Sequence, residues 1–432
     1  MTEQFPGLGE TLYRRVLPCG LTVAVVPRPG FTKKLAYFVT DYGSIHTDFL
    51  LDGKPCSAPA GVAHFLEHKM FDLPGRDVSE EFAALGGNVN AFTSYDMTAY
   101  YVSCSENFTE NLRLLLEFVS TPYFTEESVR KEQGIIDQEI GMNVDAPDSR
   151  VFESLMEAMY RAHPIRTPIL GTSETIRQIT AQTLYDCHRA FYTPANMILC
   201  VVGDVSGDAV CQIAEEVLGT RKAEAGIKLR PWNEELTVPQ SDTRLTMEVA
   251  MPMFQLGFKC EPPESGDHAI RQEVIGDLAA EALFGESSPL YLKLYEEGLI
   301  DASFGGGFES VDGCSILTCG GDSENPQAVR DAILRQAGIL AETGIPEGDF
   351  LRMKRSALGR RIRDLDSFDS TAFRVCAYHF TGFDYFRFPE IYARVTGSEI
   401  QEFLRRVVCI DRCSLSVITE KEPTGGNHYE LD

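Results

Sequence analysis

The sequence predicts an α+β fold of two homologous domains, each a largely antiparallel sheet with helices packed on one face. The chain has 432 residues, more than one compact core usually supports. AYYVSCSEN ends at residue 107 and SILTCGGDSEN at 325, an offset of 325 − 107 = 218. TEESVRKEQ begins at Thr125 and PEGDFLRMK at Pro346, an offset of 346 − 125 = 221. With MILCVVGD and CSLSVITE as a third pair, the shared order indicates a duplicated domain.

In the first half, apolar and β-branched runs alternate with segments of helical periodicity. LTVAVVPRP and KLAYFVTDYGS are predicted strands, and residues 61–72 are a predicted helix. NVNAFTSYDMTAYYVSC follows as one predicted strand, and ENLRLLLEFVS as a helix. The half closes with the strand MILCVVGDV.

A polar stretch rich in Gly, Pro and mixed charge then predicts a linker. We place the domains at residues 1–218 and 243–432, with the linker at 219–242. Beyond it the same order returns: a strand TRLTMEVAMPMFQLGFK, a helix HAIRQEVIGDLAAEALF, a strand SILTCGG and a helix SENPQAVRDAILRQA. The counterpart helix of the second domain carries only the lone His268 near its start, so we expect no metal site there.

Composition excludes several classes of function. The formal net charge of −25 argues against nucleic-acid binding and permits a preference for basic peptides. No apolar run is long enough to span a bilayer, and the opening MTEQFPGLGETLYRR has no apolar export segment. The 12 cysteines form no CxxC pair, as expected of free thiols in a reducing compartment. We therefore expect a cytoplasmic protein without membrane contact.

The apolar stretch GVAHFLEHKM contains three polar groups with helical spacing. His64 and His68 are four residues apart, so both imidazoles lie on one helix face, and Glu67 projects to the same side. Buried together, these groups need a compensating charge, which a divalent cation supplies. The alternative is that the histidines only pack in the protein without binding a metal and that the glutamate forms a surface salt bridge.

A catalytic zinc site needs a third protein ligand. In VRKEQGIIDQEIGM, Glu132 and Glu139 are seven residues apart, two helical turns, and face one way. Glu139 could complete the site, with Glu132 behind it as a supporting carboxylate. Surface salt bridges are again the alternative reading of this pair.

HxxEH inverts the HExxH motif of zinc proteases. The stretches GVAHFLEHKMF, GGNVNAFTSYDMTAYYVSC, EQGIIDQE and FYTPANMILCVVGDV together resemble the pitrilysin/insulinase family, in its processing-peptidase branch. Within that branch the chain is most similar to the active-type member of a bacterial heterodimeric pair, sometimes labelled as associated with elongation factor P modification. The resemblance implies the fold of LuxS and processing-peptidase metalloproteases.

The resemblance also implies residue roles. One Zn²⁺ per chain would be held by His64, His68 and Glu139, with Glu67 as the general base and Glu132 as a supporting catalytic carboxylate. It further makes GGNVNAFTS an edge strand beside the metal, where an extended peptide could pair with the main chain. The matching substrate-binding positions are Asn90, Ala91, Phe92 and Thr93. An ordinary strand with a Gly-Gly turn at its start is the alternative.

One departure from the family pattern concerns its partners. Family members that act alone or as homodimers carry an arginine and a tyrosine in a motif like SRLFQELREKRGLAY. Here SSPLYLKLYEEGLIDAS has Tyr295 at the arginine position and Asp301 or Ala302 near the tyrosine position. We therefore expect a heterodimer with a related subunit that supplies the missing pair. A homodimer with a different substrate contact is the less favoured alternative.

The leading functional hypothesis is a zinc metalloendopeptidase that cleaves small unfolded or leader peptides. One alternative is a non-catalytic or partner-dependent scaffold subunit of a processing-peptidase-like complex. Another is a dedicated leader peptidase for a ribosomally made peptide. A basic segment, LRMKRSALGRRIRD at residues 351–364, is predicted to be a solvated helix face, or else a surface that meets an acidic partner.

Overall fold

The computed structural model describes residues 1–219, 229 and 232–421. In the first half, the strands are β1 (Thr2–Phe5), β2 (Glu10–Val16), β3 (Thr22–Pro27), β4 (Lys34–Thr40), β5 (Asp48–Leu51), β6 (Lys54–Ser57), β7 (Asp72–Leu73), β8 (Arg76–Asp77), β9 (Asn88–Thr93), β10 (Thr98–Cys104) and β11 (Met197–Gly203). The helices are α1 (Val62–Met70), α2 (Val78–Ala84), α3 (Phe108–Ser120), α4 (Glu126–Val144), α5 (Pro147–Met159), α6 (Ser173–Ile176), α7 (Ala181–Phe191) and α8 (Gly207–Leu218).

In the second half, the strands are β12 (Asp242–Met247), β13 (Met253–Cys260), β14 (Gly305–Val311), β15 (Cys314–Asp322) and β16 (Cys413–Glu420). The helices are α9 (Asp267–Phe284), α10 (Pro289–Glu296), α11 (Pro326–Thr343), α12 (Glu347–Arg363), α13 (Phe368–Phe380), α14 (Phe388–Arg394) and α15 (Gly397–Val407). In the described part of the chain, no helix combines the length and apolar character needed to cross a bilayer.

The two large sheets repeat one strand order. The first sheet runs β1-β2-β3-β11-β4-β10-β9 and the second β12-β16-β13-β15-β14. The last five strands of the first sheet match the whole second sheet, and in each the first of these five pairs parallel with its neighbour. All other pairings in the two sheets are antiparallel. The predicted duplicated α+β fold is therefore confirmed.

Two predicted strands were wrong in extent, because each is a pair of strands. NVNAFTSYDMTAYYVSC divides into β9 and β10, which turn at residues 94–97, where the Ser94 N–H donates to the Met97 carbonyl at 2.8 Å. TRLTMEVAMPMFQLGFK divides into β12 and β13. Pro252, just before β13, has no N–H to continue a strand ladder. In both cases an apolar run longer than a typical strand hid the break.

Each sheet is covered on its second face by a helix from the other half. The helices α5 and α13 are related by the offset of the duplication, since 368 − 147 = 221 and 380 − 159 = 221. From the first half, α5 packs on β12, β13 and β16, whereas α13 from the second half packs on β4 and β11. Gly257 on β13 permits this closeness, because a Cβ there would lie 2.5 Å from the Met159 sulfur. The halves thus complete each other's cores.

A buried ion pair fastens the end of α5 to the second sheet. Lys259 on β13 is 1% exposed, and its Nζ donates to the Glu234 carboxylate at 2.8 Å. The same carboxylate accepts the backbone N–H groups of residues 161–163, which follow α5, at 2.7 to 3.0 Å. The Lys259 Nζ also lies 4.5 Å from the centre of the Tyr160 ring. Glu234 therefore joins segments of both halves.

Glu234 belongs to the predicted linker, of which residues 220–228 and 230–231 lie outside the described part of the chain. The proposed domain limits at 218 and 243 stay a prediction. The basic segment predicted at residues 351–364 falls mainly on α12, and its basic side chains are exposed or half-buried, with the exception of Arg361, which is 5% exposed.

Replacing Glu234 by Gln is expected to lower the free energy of unfolding at pH 7 by about 3 kcal/mol, because it leaves the Lys259 ammonium buried without its counter-charge. Burial alone raises the pKa of Glu234, but the Lys259 ammonium and the backbone donors of residues 161–163 outweigh it and lower the pKa from 4.5 to about 2. This contribution is therefore present above pH 4.5 and is lost as the pH falls towards about 2.

The measurement is urea unfolding of wild type and variant between about pH 2 and pH 7, an interval that contains both the ordinary pKa of the carboxyl and its lowered value in the folded protein. The matched control is Glu235→Gln, since the neighbouring Glu235 is exposed. A Glu234→Gln variant as stable as the Glu235→Gln control at pH 7 would contradict the role assigned to this ion pair.

Candidate metal centre

Helix α1 places the two predicted histidines on one stripe. It begins after Gly61, whose φ of 90° lies in the left-handed region, and a Cβ there would lie 2.4 Å from the Leu170 carbonyl oxygen. Phe65 and Leu66 are fully buried and anchor the helix in the core. His64, Glu67 and His68 lie on the remaining face, and the two imidazole rings are 4.5 Å apart.

Helix α4 brings the carboxylates to this face. Ile136 is completely buried and fixes the helix against the core, so that Glu132 and Glu139 project towards α1. The Glu139 carboxylate lies 3.8 Å from His64 Nε2 and 3.9 Å from His68 Nε2. One donor atom from each of the three residues falls within 4.8 Å of the others. The structure thus brings together the three predicted metal ligands.

Glu132 orients His68 from behind. Its carboxylate oxygen lies 3.0 Å from His68 Nδ1, which leaves Nε2 facing His64 and Glu139. This hydrogen bond raises the pKa of His68. A carboxylate that holds the far nitrogen of a ligating imidazole is a common supporting contact in zinc sites.

The three side chains fit a zinc-type ion. Two imidazole nitrogens and one carboxylate oxygen form a known donor set for Zn²⁺, and at metal distances of about 2.1 Å such donors lie about 3.4 Å apart. The observed separations of 3.8 and 3.9 Å need only small rotations to reach this value. Burial, and then the nearby His68, lower the pKa of His64 to about 4. His64 is therefore neutral at pH 7, as a metal ligand must be.

Glu67 stands beside the metal ligands without joining their group. It is 8% exposed, and the Thr93 hydroxyl on β9 donates to its Oε2 at 2.6 Å. Burial raises the pKa of Glu67, and the Thr93 hydrogen bond opposes that shift. The second oxygen of this carboxylate is not engaged by Thr93.

Strand β9 borders the site as the last strand of its sheet, paired on one side with β10. A cleft of about 360 Å³ lies between β9 and the two helices. Its lining residues are Glu67, His68, Phe71, Ser79, Val89, Asn90, Ala91 and Glu132. The predicted edge strand is therefore in place beside the metal ligands.

The four predicted substrate-binding residues divide between two faces of β9. Ala91 lines the cleft, and Thr93, on the same face, contacts Glu67. Asn90 also borders the cleft, although it alternates with Ala91 and shares the face of Phe92. Phe92 points the other way, with its ring 6.3 Å from Tyr101 and 6.0 Å from Phe373 on α13. Side chains alternate along a strand, so one run of four residues cannot all face one cleft.

The sequence reasoning missed three cleft residues. Phe71 directly follows α1 and lies three residues beyond His68, so the helical period continued by one residue could have found it. Val89 is two residues before Ala91 and shares its face of β9. Ser79 comes from α2, and no local signal in the sequence places that helix beside the site.

The second half carries a charged counterpart of this stripe. Asp277, Ala280 and Glu281 on α9 have the spacing of His64, Glu67 and His68, and α9 packs on β14 as α1 packs on β9. No other group of side chains suited to a metal occurs within the described residues. The His268 side chain is 76% exposed and lies 3.8 Å from Glu264.

The positions that depart from the family pattern lie around α10. Tyr295 is 53% exposed and stacks on Tyr291, with ring centres 6.0 Å apart. The Asp301 carboxylate accepts hydrogen bonds from Ser303, and Ala302 is exposed. These side chains leave an accessible surface at the site where the family pattern would have an arginine and a tyrosine.

Comparison with known proteins identifies the family. Residues 57–173 match the family model for insulinase (peptidase family M16), and residues 178–357 match the peptidase M16 inactive domain. The chain is 35% identical over 426 residues to the uncharacterized zinc protease YmfH of Bacillus subtilis (strain 168), covering 97% of this chain and 99% of the relative. It is 26% identical over 319 residues to YmxG of the same organism, covering 72% of this chain and 76% of that protein.

Solved structures agree with this assignment. The crystal structure of an M16-like peptidase from Alicyclobacillus acidocaldarius has a TM-score of 0.92 at 31% identity, covering 97% of this chain and all of the other. A protease from Helicobacter pylori shares the fold, with a TM-score of 0.82 at 20% identity over 94% of this chain and 99% of the other. The chain belongs to the insulinase (M16) family of zinc peptidases.

Proposed function

We propose that this protein is a zinc-dependent endopeptidase that cleaves small unfolded peptides, leader segments among them. The observation that carries the proposal is the convergence of His64, His68 and Glu139 within 4.8 Å. The open edge of β9 supports the assignment, because an extended peptide can pair with it through main-chain hydrogen bonds. Main-chain pairing tolerates many sequences, as digestion of unfolded peptides requires.

The proposed roles follow from the contacts of each side chain. A zinc ion held by His64, His68 and Glu139 would polarise the scissile carbonyl and lower the pKa of water. Glu67 accepts the proton of the attacking water and returns it to the leaving amine. Because Thr93 donates to Oε2 of Glu67, Oε1 is the oxygen that moves the proton. Burial raises the pKa of Glu67, which is the direction that favours a carboxyl group in accepting a proton.

We also propose that a related subunit completes the substrate site. Tyr295 stands at the position where self-sufficient members of the family carry an arginine, and Asp301 or Ala302 stands near the position of their tyrosine. A partner with that pair would supply the arginine and the tyrosine that this chain does not carry at these positions. A homodimer, in which a different side chain contacts the substrate, is the alternative arrangement.

Replacing Glu67 by Gln is expected to reduce peptide cleavage by at least about 100-fold while zinc content stays unchanged, because the amide cannot accept a proton. Cleavage of a mixture of unstructured peptides is read by mass spectrometry, and zinc by elemental analysis. Glu110→Gln, at an exposed site on α3, is the control. A Glu67→Gln variant that cleaves as fast as this control would overturn the assigned role.

Replacing metal ligands is expected to give a graded loss of zinc. His64→Asn or Glu139→Gln removes a ligand, and zinc at equilibrium should fall from one per chain towards zero. Glu132→Gln disturbs only the orientation of His68, and its zinc affinity should fall by about 10- to 100-fold. The measurement is a competition titration with a chelating dye. His268→Asn, at the exposed histidine of the second half, should bind zinc as wild type does. Retention of zinc by both ligand variants would refute the site.

The partner proposal predicts that the zinc-loaded chain alone cleaves peptides slowly. Addition of the related subunit should raise the rate, and the rise should vanish when that subunit's arginine of the family motif is replaced. The measurement is the same peptide assay with each chain alone and with both chains mixed. Full activity of the isolated chain, unchanged by any related subunit, would exclude the heterodimer requirement and leave the peptidase assignment intact.

A further inference from the structure

The second half holds a large cleft at the place that corresponds to the metal cleft. It measures about 710 Å³ and lies between α9, β14, α12 and α13. In the duplicated fold, α9, β14 and α12 hold the positions of α1, β9 and α4. The groups that matter here are Asp277, Glu281, Arg360, Arg361, Arg363 and Arg374. Arginines thus line a cleft that has the same place in the fold as the cleft of the first half. Among the described residues, it has no counterpart of the His–His–Glu group found there.

The innermost of these arginines is incompletely paired. Arg361 is 5% exposed, and its Nη2 donates to the Glu273 carboxylate at 2.6 Å and to the Tyr378 hydroxyl. Its Nη1 is buried and has no hydrogen-bond partner among the described residues. A buried guanidinium donor without an acceptor is unfavourable, so this nitrogen favours an oxygen acceptor that enters from the cleft.

Two further arginines are available to the same acceptor. Among the described residues, neither Arg363 nor Arg374 forms an ion pair with a carboxylate, and Arg374 donates a hydrogen bond to the Tyr378 hydroxyl at 3.5 Å. Arg360 is engaged with Glu281 at 3.2 Å. The cleft therefore offers guanidinium groups from α12 and α13 that have no carboxylate partner among the described residues.

The acidic side chains of the cleft limit what can bind. Glu281, Glu286 and Asp364 also line it, so its net charge is close to balanced. Burial, and then the nearby Glu273, raise the pKa of Asp277 to about 7, which makes this carboxyl a partial hydrogen-bond donor. A doubly charged phosphate would meet repulsion from the acidic wall. A carboxylate carries a single negative charge and needs only one guanidinium group for a bidentate pair. It is therefore better suited than phosphate to a cleft whose net charge is close to zero.

The backbone beside the arginines is free of side chains. Gly305 and Gly307 on β14 have open space where a Cβ would lie, and β14 is an edge strand of its sheet. On α13, Arg374 lines the cleft, and the residue before it, Phe373, contacts Phe92 on β9. An extended chain could therefore lie along the glycines with a carboxylate directed at the arginines.

We propose that this arginine cleft, residues 277–286, 305–307 and 360–374, binds a carboxylate of the peptide substrate and that the C-terminal carboxylate is the preferred one. This proposal rests on the proposed function, because that function makes a peptide the ligand. It assigns to the second half a binding role in place of catalysis. Carboxylate capture beside an exposed strand edge is an established mode of peptide recognition.

The test compares one unstructured, N-terminally labelled peptide without acidic side chains as the free acid and as the C-terminal amide. Binding to the zinc-loaded Glu67→Gln protein is measured by fluorescence anisotropy, so cleavage does not interfere. The free acid should bind at least about tenfold more tightly than the amide. Generic electrostatics predicts the opposite order, because the chain has a net charge of −25 and repels the extra negative charge.

Variants locate the effect. In the Glu67→Gln background, Arg374→Gln or Arg363→Gln should remove most of the preference for the free acid. Arg355→Gln is the matched control, since Arg355 lies exposed on α12 outside the cleft, and it should keep the preference. Because Arg363 is exposed, its substitution should not disturb folding.

The outcomes separate this proposal from the proposed function. Equal binding of acid and amide, or tighter binding of the amide, overturns the carboxylate site even if the wild type cleaves both. An amidated peptide with an internal glutamate that regains the affinity keeps the carboxylate site and overturns the preference for the C terminus. A preference retained in both cleft variants also overturns the site. Absence of peptide binding together with absence of cleavage contradicts both proposals.

Discussion

The reciprocal packing of α5 and α13 is the constraint on which the rest of the structure depends. Each helix leaves its own half and covers the open face of the other half's sheet. Apolar residues of β4 and β11 are thereby removed from water beneath α13, and Cys314 and Ile316 of β15 are buried in one cluster with Leu155 and Met159 of α5. Burial of apolar surface is the dominant favourable contribution to folding. The Lys259–Glu234 pair at the end of α5 fixes the same arrangement with charge.

Because of this packing, α13 touches the strand beside the candidate metal site and also lines the arginine cleft. The ring of Phe92 on β9 contacts Phe373 on α13, so the strand beside the metal ligands is supported by a helix of the second half. The next residue of that helix, Arg374, lines the arginine cleft. The candidate metal site on the first half is thus supported by a helix of the second half.

In both halves, carboxylates at the cleft need a nearby cation, and the two halves supply it differently. On α1, His64 and His68 face Glu139, and this set of donors is complete only with an added cation. On α9, the corresponding Glu281 pairs with the Arg360 guanidinium, a cation that belongs to the chain. A site that brings its own cation has no need of a metal and is free to serve another ligand. The family description of an inactive second domain agrees with this difference.

The sequence by itself determined the duplication and the polar face of the helix at the candidate metal site, because helical spacing is local and places His64, Glu67 and His68 on one face of a helix. Helical spacing likewise placed Glu132 and Glu139, two turns apart, on one face of their helix. Only the tertiary structure decided which two helices meet, where β9 and β10 turn, and that Phe92 faces away from the cleft. The sequence could not predict that α5 and α13 each pack on the sheet of the other half. The pattern of an amphipathic helix shows that the helix has an apolar face, but it does not show which sheet that face covers.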